Sequence, residues 1–211
     1  MKTNLLNILE VIKLGEKLKS EMRHSWLSNG RQESVAEHTW RVSLMAMLVE
    51  HYLTEEVDSA KLLKMIIIHD LVEAEAGDIP AFDTMNDESA REQKSVNERK
   101  SIEKIRGMLG HALGNELYNL WLEFEGKQTY EAKVANALDK LEAQIRHNEA
   151  DVSTWLEVEH KMSFMMDKHV GFDETLQIFK DIIEEEAEKK LNEAGVDTKK
   201  LRDHRPSPIV T

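Results

Sequence analysis

Two polar residues stand where an apolar helix has no use for them. His69 and Asp70 follow Met65-Ile66-Ile67-Ile68 and precede Leu71-Val72. A carboxylate inside such a run is costly unless it is paired or holds a metal ion. His38 raises the same problem on a second apolar stretch, and Asp139, beside Leu138 and near Leu141, on a third. Ala135 and Ala143 flank Asp139 one turn away on either side, so that helix can approach the other two closely. Two histidines and two aspartates offer nitrogen and oxygen donors. That set suits a divalent cation such as Mn, Co, Fe, Zn or Mg better than a soft metal. The chain has no cysteine, which excludes disulfides, thiolate metal sites and a cysteine nucleophile. The competing reading is structural. A lone histidine on an apolar face is more often a hydrogen-bonded core residue, and a lone aspartate more often a cap or surface group. The adjacent pair favours ligation, although spacing alone does not bring the four residues together.

The elements that must position these residues read as helices. Nine glycines and three prolines in 211 residues leave long stretches without a breaker. A first helix is expected from about Asn4 to Lys19, with Leu5, Ile8, Leu9, Ile12 and Leu18 facing inward. The segment from Met22 to Glu33 reads as a loop with Asn29-Gly30 as a turn. Ser34 and Glu37 then form a capping box that opens the helix carrying His38, which is apolar nearly all round from Val42 to Val49. Asp58 caps a helix over 59–76 that holds His69 and Asp70, and Gly77 stops it. Asp78-Ile79-Pro80 breaks away as a loop. Residues 88–106 form a charged surface helix. Further helices are expected over 112–125, over 130–148 with Val134, Leu138, Leu141 and Ile145 inward, over 153–167, and from Asp173 onward. No strand alternation is visible. The fold class is all-α, one helical domain over residues 1–200 with a loose tail at 201–211.

The net charge is -12 and the pI about 5.3, which places general nucleic-acid binding low. An acidic chain can still take an anionic substrate where a metal ion supplies local positive charge. The longest apolar run, Leu44 to Val49, falls far short of the roughly 20 residues that span a bilayer. No signal segment opens the chain, so a soluble, cytoplasmic protein without a membrane partner is expected. His24, next to Arg23, is a candidate for facing a pocket. His111 and His147 offer a weaker alternative, a second metal. The Glu184-Glu185-Glu186 run reads as a solvated face.

Four stretches together resemble the HD-domain metal-dependent phosphohydrolase superfamily: E-S-V-A-E-H at 33–38, I-I-I-H-D-L-V-E at 66–73, G-D-I-P at 77–80 and A-L-D-K-L-E at 137–142. The order His, His-Asp, Asp is that superfamily's signature. The match is closer to its small single-domain branch, which includes the bacterial 5′-deoxynucleotidases. The resemblance implies that His38, His69, Asp70 and Asp139 ligate one divalent cation. It implies that Glu73 is the catalytic acid or base and that Asp78 lines the substrate pocket. It implies that Arg23 orients the phosphate and that Trp26 lines the base or sugar pocket. For Arg23 a solvated loop position is the alternative, and for Trp26 a packing role; Glu75 reads as a surface residue. The implied substrate is a (deoxy)nucleoside 5′-monophosphate, split to nucleoside and phosphate. The implied assembly is a homodimer, for which 112–125 and 173–191 offer faces. One departure stands out. The deoxynucleotidases continue Gly-Asp-Leu-Pro with Thr-Pro and a nearby Lys, whereas this chain reads Pro80-Ala81-Phe82-Asp83. The alternatives are another nucleotide phosphoester or triphosphate as substrate, or a non-catalytic binding module of the same fold.

Overall fold

A computed structural model describes residues 1–85 and 87–202. The expected tail therefore lies, from residue 203 on, outside the described residues. The chain is helical, as its composition implies, with one small hairpin. Helix α1 (Lys2–Gly15) runs into a 3₁₀ turn over Glu16–Lys19. Strands β1 (Met22–Trp26) and β2 (Gln32–Ser34) pair antiparallel, and α2 (Val35–Val49) follows directly. Next come α3 (Ser59–His69), a 3₁₀ turn over Asp70–Val72, α4 (Glu73–Ala76) and α5 (Ala81–Thr84). Then come α6 (Glu88–Leu109), α7 (His111–Gly126) and α8 (Tyr130–Glu149). The chain closes with α9 (Glu157–Met162), α10 (Asp167–Val170), α11 (Glu174–Glu193) and α12 (Thr198–Arg202). Among the described residues no helix is long and apolar enough to cross a membrane.

α8 is the hub and packs against α2, α3, α7 and α11. Val134, Ala135, Ala137, Leu138 and Leu141 are all fully buried. The alanines let neighbouring helices come close, as the sequence pattern requires. Leu62, Met65 and Ile66 of α3, Val35 and Val42 of α2 and Leu176 of α11 complete the main core around it. A smaller cluster gathers Trp155, Phe164, Ala187 and Leu191 beneath α12.

The helix ends follow their side chains. The Ser34 hydroxyl accepts from the Glu37 N–H at 3.3 Å, and Glu37 accepts from the Ser34 N–H at 2.9 Å. This is the expected capping box, and Arg31 clamps its carboxylate at 2.6 and 3.1 Å. Asp58 caps α3 through the Lys61 N–H, and Asp173 caps α11 through that of Leu176.

Four expectations change. The segment read as a loop forms the β1–β2 hairpin around Asn29-Gly30, where Gly30 takes a φ of +82°. Helix α1 turns much of its expected inner stripe to solvent: Leu5 is 59% and Ile12 64% exposed and Ile8 is half-buried, whereas Leu18, in the 3₁₀ turn that follows, is buried as expected, together with Leu14. The helix lies along the highly charged α6, so its contact stripe is Val11 and Leu14 rather than the longer row of leucines. The long helix expected over 59–76 breaks at His69. Asp70 tightens the backbone into the 3₁₀ turn, with φ -92° and ψ -1°. The helix expected over 153–167 is instead a 3₁₀ turn at Val152–Thr154 and the short α9, with α10 beginning only at Asp167.

Candidate active site

The four candidate ligands arrive from three elements. α2 contributes His38, the end of α3 and its 3₁₀ turn contribute His69 and Asp70, and α8 contributes Asp139. Nε2 of His38 lies 3.0 Å from Oδ1 of Asp139 and 3.8 Å from Oδ2 of Asp70. Nε2 of His69 lies 3.0 Å from Oδ1 of Asp70. One ligand atom from each of His38, His69 and Asp139 falls within 4.8 Å of the other two. The four residues singled out in the sequence therefore meet at one point, among the core of three helices.

The outer bonds fix which way each imidazole points. Nδ1 of His38 faces the Glu142 carboxylate, and Nδ1 of His69 donates to the Ile66 carbonyl at 2.5 Å. With those protons turned outward, both Nε2 lone pairs turn inward toward carboxylate oxygens. Nε2 of His69 is buried and has no hydrogen-bond partner. Two nitrogen lone pairs facing two carboxylates are satisfied by a cation, and the donor set fits a divalent one. A carboxylate holding the far nitrogen of a ligating histidine is the ordinary support for such a site. Without a cation a proton takes that place. Burial and Arg23 oppose charge on His38, but Glu142 and Asp139 outweigh them and push its pKa up to about 9. Asp139 is held well below the usual carboxylate range: burial works the other way, but Lys140, at 2.7 Å, and His38 prevail.

Around this floor opens a cavity of about 490 Å³. Glu73 lines it from the start of α4. The 3₁₀ turn eclipses positions i and i+3, which brings Glu73 over Asp70. Burial, then Asp70 and Asp78, push the Glu73 carboxyl well above its ordinary pKa. Asp78 lines the cavity from the next loop. Gly77, at a φ of +79°, makes the turn into it, and Glu21 holds the Asp78 N–H at 3.1 Å.

Arg23 enters from β1. Its guanidinium lies 3.8 Å from Glu142 and 4.0 Å from Glu33. Burial opposes its charge, but Glu142, Asp70 and Asp139 more than offset that, so it stays cationic. Trp26 is not among the cavity-lining residues. It packs edge-on behind His24, with centroids 4.7 Å apart, and His24 is the ring that reaches the cavity. His147 also lines the cavity, while the side chain of His111 lies outside the described residues. Glu75 pairs with Lys104 at the surface.

Several groups escaped the reading of the sequence. Glu142 is fully buried and accepts from Arg41 Nε at 2.7 Å as well as facing His38. It lies three residues after Asp139, inside the A-L-D-K-L-E stretch at 137–142, and that spacing was its signal. Glu33 is buried on the other side of Arg23. Lys94 comes from α6, expected to be a surface helix, and lines the cavity while donating to the Ile79 carbonyl at 3.0 Å. Lys94 thus brings a cation to the cavity beside the Gly-Asp-Ile-Pro loop from another element. Nothing in the apolar pattern of α6 marked it.

Comparison with known proteins agrees with this arrangement. A family model described as HD domain matches residues 15–179. The 5′-deoxynucleotidase HDDC2 of Danio rerio is 33% identical over 145 residues, covering 68% of this chain and 69% of the relative. The human 5′-deoxynucleotidase HDDC2 is 28% identical over 194 residues, covering 90% and 89%. A crystal structure of a predicted metal-dependent phosphohydrolase from Magnetospirillum magnetotacticum MS-1 superposes with a TM-score of 0.74 at 28% identity, covering 89% of this chain and 97% of that one. With the motif residues converging as they do, the chain belongs to the HD domain family.

Proposed function

We propose that this protein is a divalent-metal-dependent phosphohydrolase that splits (deoxy)nucleoside 5′-monophosphates into nucleoside and phosphate. The observation that carries the reading is the inward pair of Nε2 atoms on His38 and His69, facing Asp70 and Asp139 at the floor of a cavity. The similarity to proteins named 5′-deoxynucleotidases supports the substrate class. In this reading His38, His69, Asp70 and Asp139 hold one cation of the Mn, Co, Fe, Zn or Mg group. When bound, the cation supplies Lewis-acid charge to a phosphoryl oxygen and acidity to a water molecule.

The rest of the chemistry belongs to the chain. Water adds to phosphorus, the bond from phosphorus to the 5′-oxygen breaks, and that oxygen leaves with a proton. Glu73 is placed for this transfer, because burial, then Asp70 and Asp78, raise its affinity for a proton. Arg23 offers parallel N–H donors to the phosphate, which a lysine could not reproduce. Asp78 and Lys94 also line the cavity. His24 takes the ring position that the resemblance offered to Trp26. We treat residues 1–200 as one domain, because α8 joins the metal floor to the core. For self-association we favour α1, whose Leu5, Leu9 and Ile12 form an exposed apolar stripe, over α7.

Asp70→Ala is expected to abolish both metal retention and phosphate release, measured by elemental analysis of the purified protein and a nucleotide panel. Full turnover with normal metal content would exclude this site. Glu73→Ala is expected to keep the metal while slowing turnover about 10²- to 10⁴-fold; loss of metal would make Glu73 a ligand instead. For Arg23, the affinities of a nucleoside and its monophosphate are compared in a Glu73→Ala background. Arg23→Ala is expected to weaken the monophosphate alone, and Arg23→Lys to recover only part of the loss. Equal weakening of both compounds would make Arg23 a structural residue. Light scattering on a sizing column is expected to give a dimer for the wild type and a monomer for Ile12→Glu; a monomeric wild type removes the self-association face.

A further inference from the structure

One face of α8 carries Asp139, Ala143 and His147 on successive turns, and all three line the cavity. Eight residues of helix set His147 about 12 Å from Asp139 along the axis. That is comparable to the reach of a nucleotide from its 5′-phosphate across the sugar to the far edge of the base. A second polar cluster sits there, and the hydrolytic step uses none of it. Oε1 of Glu159, on α9, lies 3.5 Å from Nε2 of His24 and 3.6 Å from Nε2 of His147. The other carboxylate oxygen of Glu159 accepts from the Leu156 N–H at 2.6 Å, which fixes the group in place.

Glu159 is buried and the two histidines are half-buried, yet the cluster is incompletely paired. Nε2 of His24 has no hydrogen-bond partner in the folded chain. Burial, with His24 and Arg23 nearby, lowers the His147 pKa to about 4, so this imidazole is neutral near pH 7 and offers one N–H. The walls suit a flat ring. Phe82 stands edge-on to His24 with centroids 5.1 Å apart, and Met162 lines the same end. Apolar walls with a few convergent polar groups are what a small-molecule pocket needs.

We propose that Glu159, His24 and His147 form a base-reading end of the pocket that selects nucleotides whose base carries an exocyclic amino group beside an unprotonated ring nitrogen. The Glu159 carboxylate accepts from the amino group, as carboxylates do from cytosine N4. An imidazole N–H donates to the adjacent ring nitrogen. Cytosine and adenine present that edge. Uracil and thymine in the same pose set a carbonyl oxygen against the carboxylate and an N–H against the imidazole, and buried polar groups left unpaired reject a ligand strongly. The inference rests on the nucleotide reading above and adds which nucleotides the site prefers.

The test is the affinity of deoxycytidine and deoxyuridine 5′-monophosphates, two ligands that differ by an amino group and a carbonyl. Calorimetry is run on Glu73→Ala protein with manganese(II), so that turnover does not interfere. Deoxycytidine monophosphate is expected to bind about 10- to 100-fold more tightly, the value of one charge-assisted hydrogen bond. Adding Glu159→Gln is expected to bring the two ligands within about threefold, since an amide can donate as well as accept. Glutamine also keeps the Leu156 contact, because it serves that capping position as glutamate does. His24→Leu, which keeps bulk and removes Nε2, provides the second variant, and melting curves check that both remain folded. Equal wild-type affinities, a preference for deoxyuridine monophosphate, or discrimination that survives both variants would overturn the proposal. Phosphate release by the wild type is scored separately. Release without base discrimination defeats this inference and leaves the hydrolase; discrimination without release does the reverse.

Discussion

A carboxylate with no exposed surface, Glu142, organises this molecule. It sits on α8, faces Nδ1 of His38 on α2, accepts from Arg41 one turn further along α2, and lies against Arg23 on β1. A lone charge in that position would be expelled or neutralised. Three cationic or proton-bearing partners from two elements hold it ionised instead, with its pKa lowered to about 2: burial opposes this, and His38 and Arg23 outweigh it. Removing one partner of a buried pair typically costs about 3–5 kcal/mol. That is a large share of the roughly 5–15 kcal/mol by which a domain of ordinary stability folds. The same contact decides where the other nitrogen of His38 points. The fold and the donor geometry therefore share one interaction, and neither can be altered alone.

What could be read from the sequence follows from this. His69 and Asp70 were legible because they violate a buried helix pattern, and a violation without local compensation demands a ligand or a partner. α8 was legible because Val134, Leu138 and Leu141 repeat at helical spacing while Ala135 and Ala143 mark close approach. The Ser34 and Glu37 box was legible because capping is a local interaction. What was missed is non-local. The hairpin is three to five residues per strand, held by backbone pairing and by Asn29-Gly30, and MRHSW carries no alternation of apolar and polar residues. The outward stripe of α1 has the periodicity of a core face, and only its neighbour, the charged α6, decides that the shorter stripe is the contact. Lys94 reads as an ordinary surface charge, because nothing in a single helix tells which charged face a neighbour will enclose.

Electrostatics explains how an acidic chain holds a site for anions. The net charge of -12 gives a field that repels a phosphate at long range. Arg23 and Lys94 line the cavity that also contains Asp70, Asp78 and Asp139. Lys140 also lines it and pairs with Asp139 at 2.7 Å, so cationic side chains offset much of the charge of these acids. Arg23 is held in its orientation by Glu33 and Glu142, and a divalent cation held by His38, His69, Asp70 and Asp139 would add positive charge at the floor.

α8 carries this logic to the other end of the pocket. Asp139 and His147 project from one rigid helix two turns apart, so the separation between the metal floor and the Glu159 cluster does not depend on a flexible loop. His24 follows Arg23 in sequence, on the same strand, and alternate strand positions send the two side chains in different directions. The strand thus places Arg23 toward the floor and His24 toward Glu159. A substrate that satisfies both ends must span a distance set by one helix and one strand. A phosphate without a base reaches one end, and a base without a phosphate reaches the other. Selectivity for a whole nucleotide is in that sense a property of backbone geometry, and the side chains at the far end decide only which base completes the span.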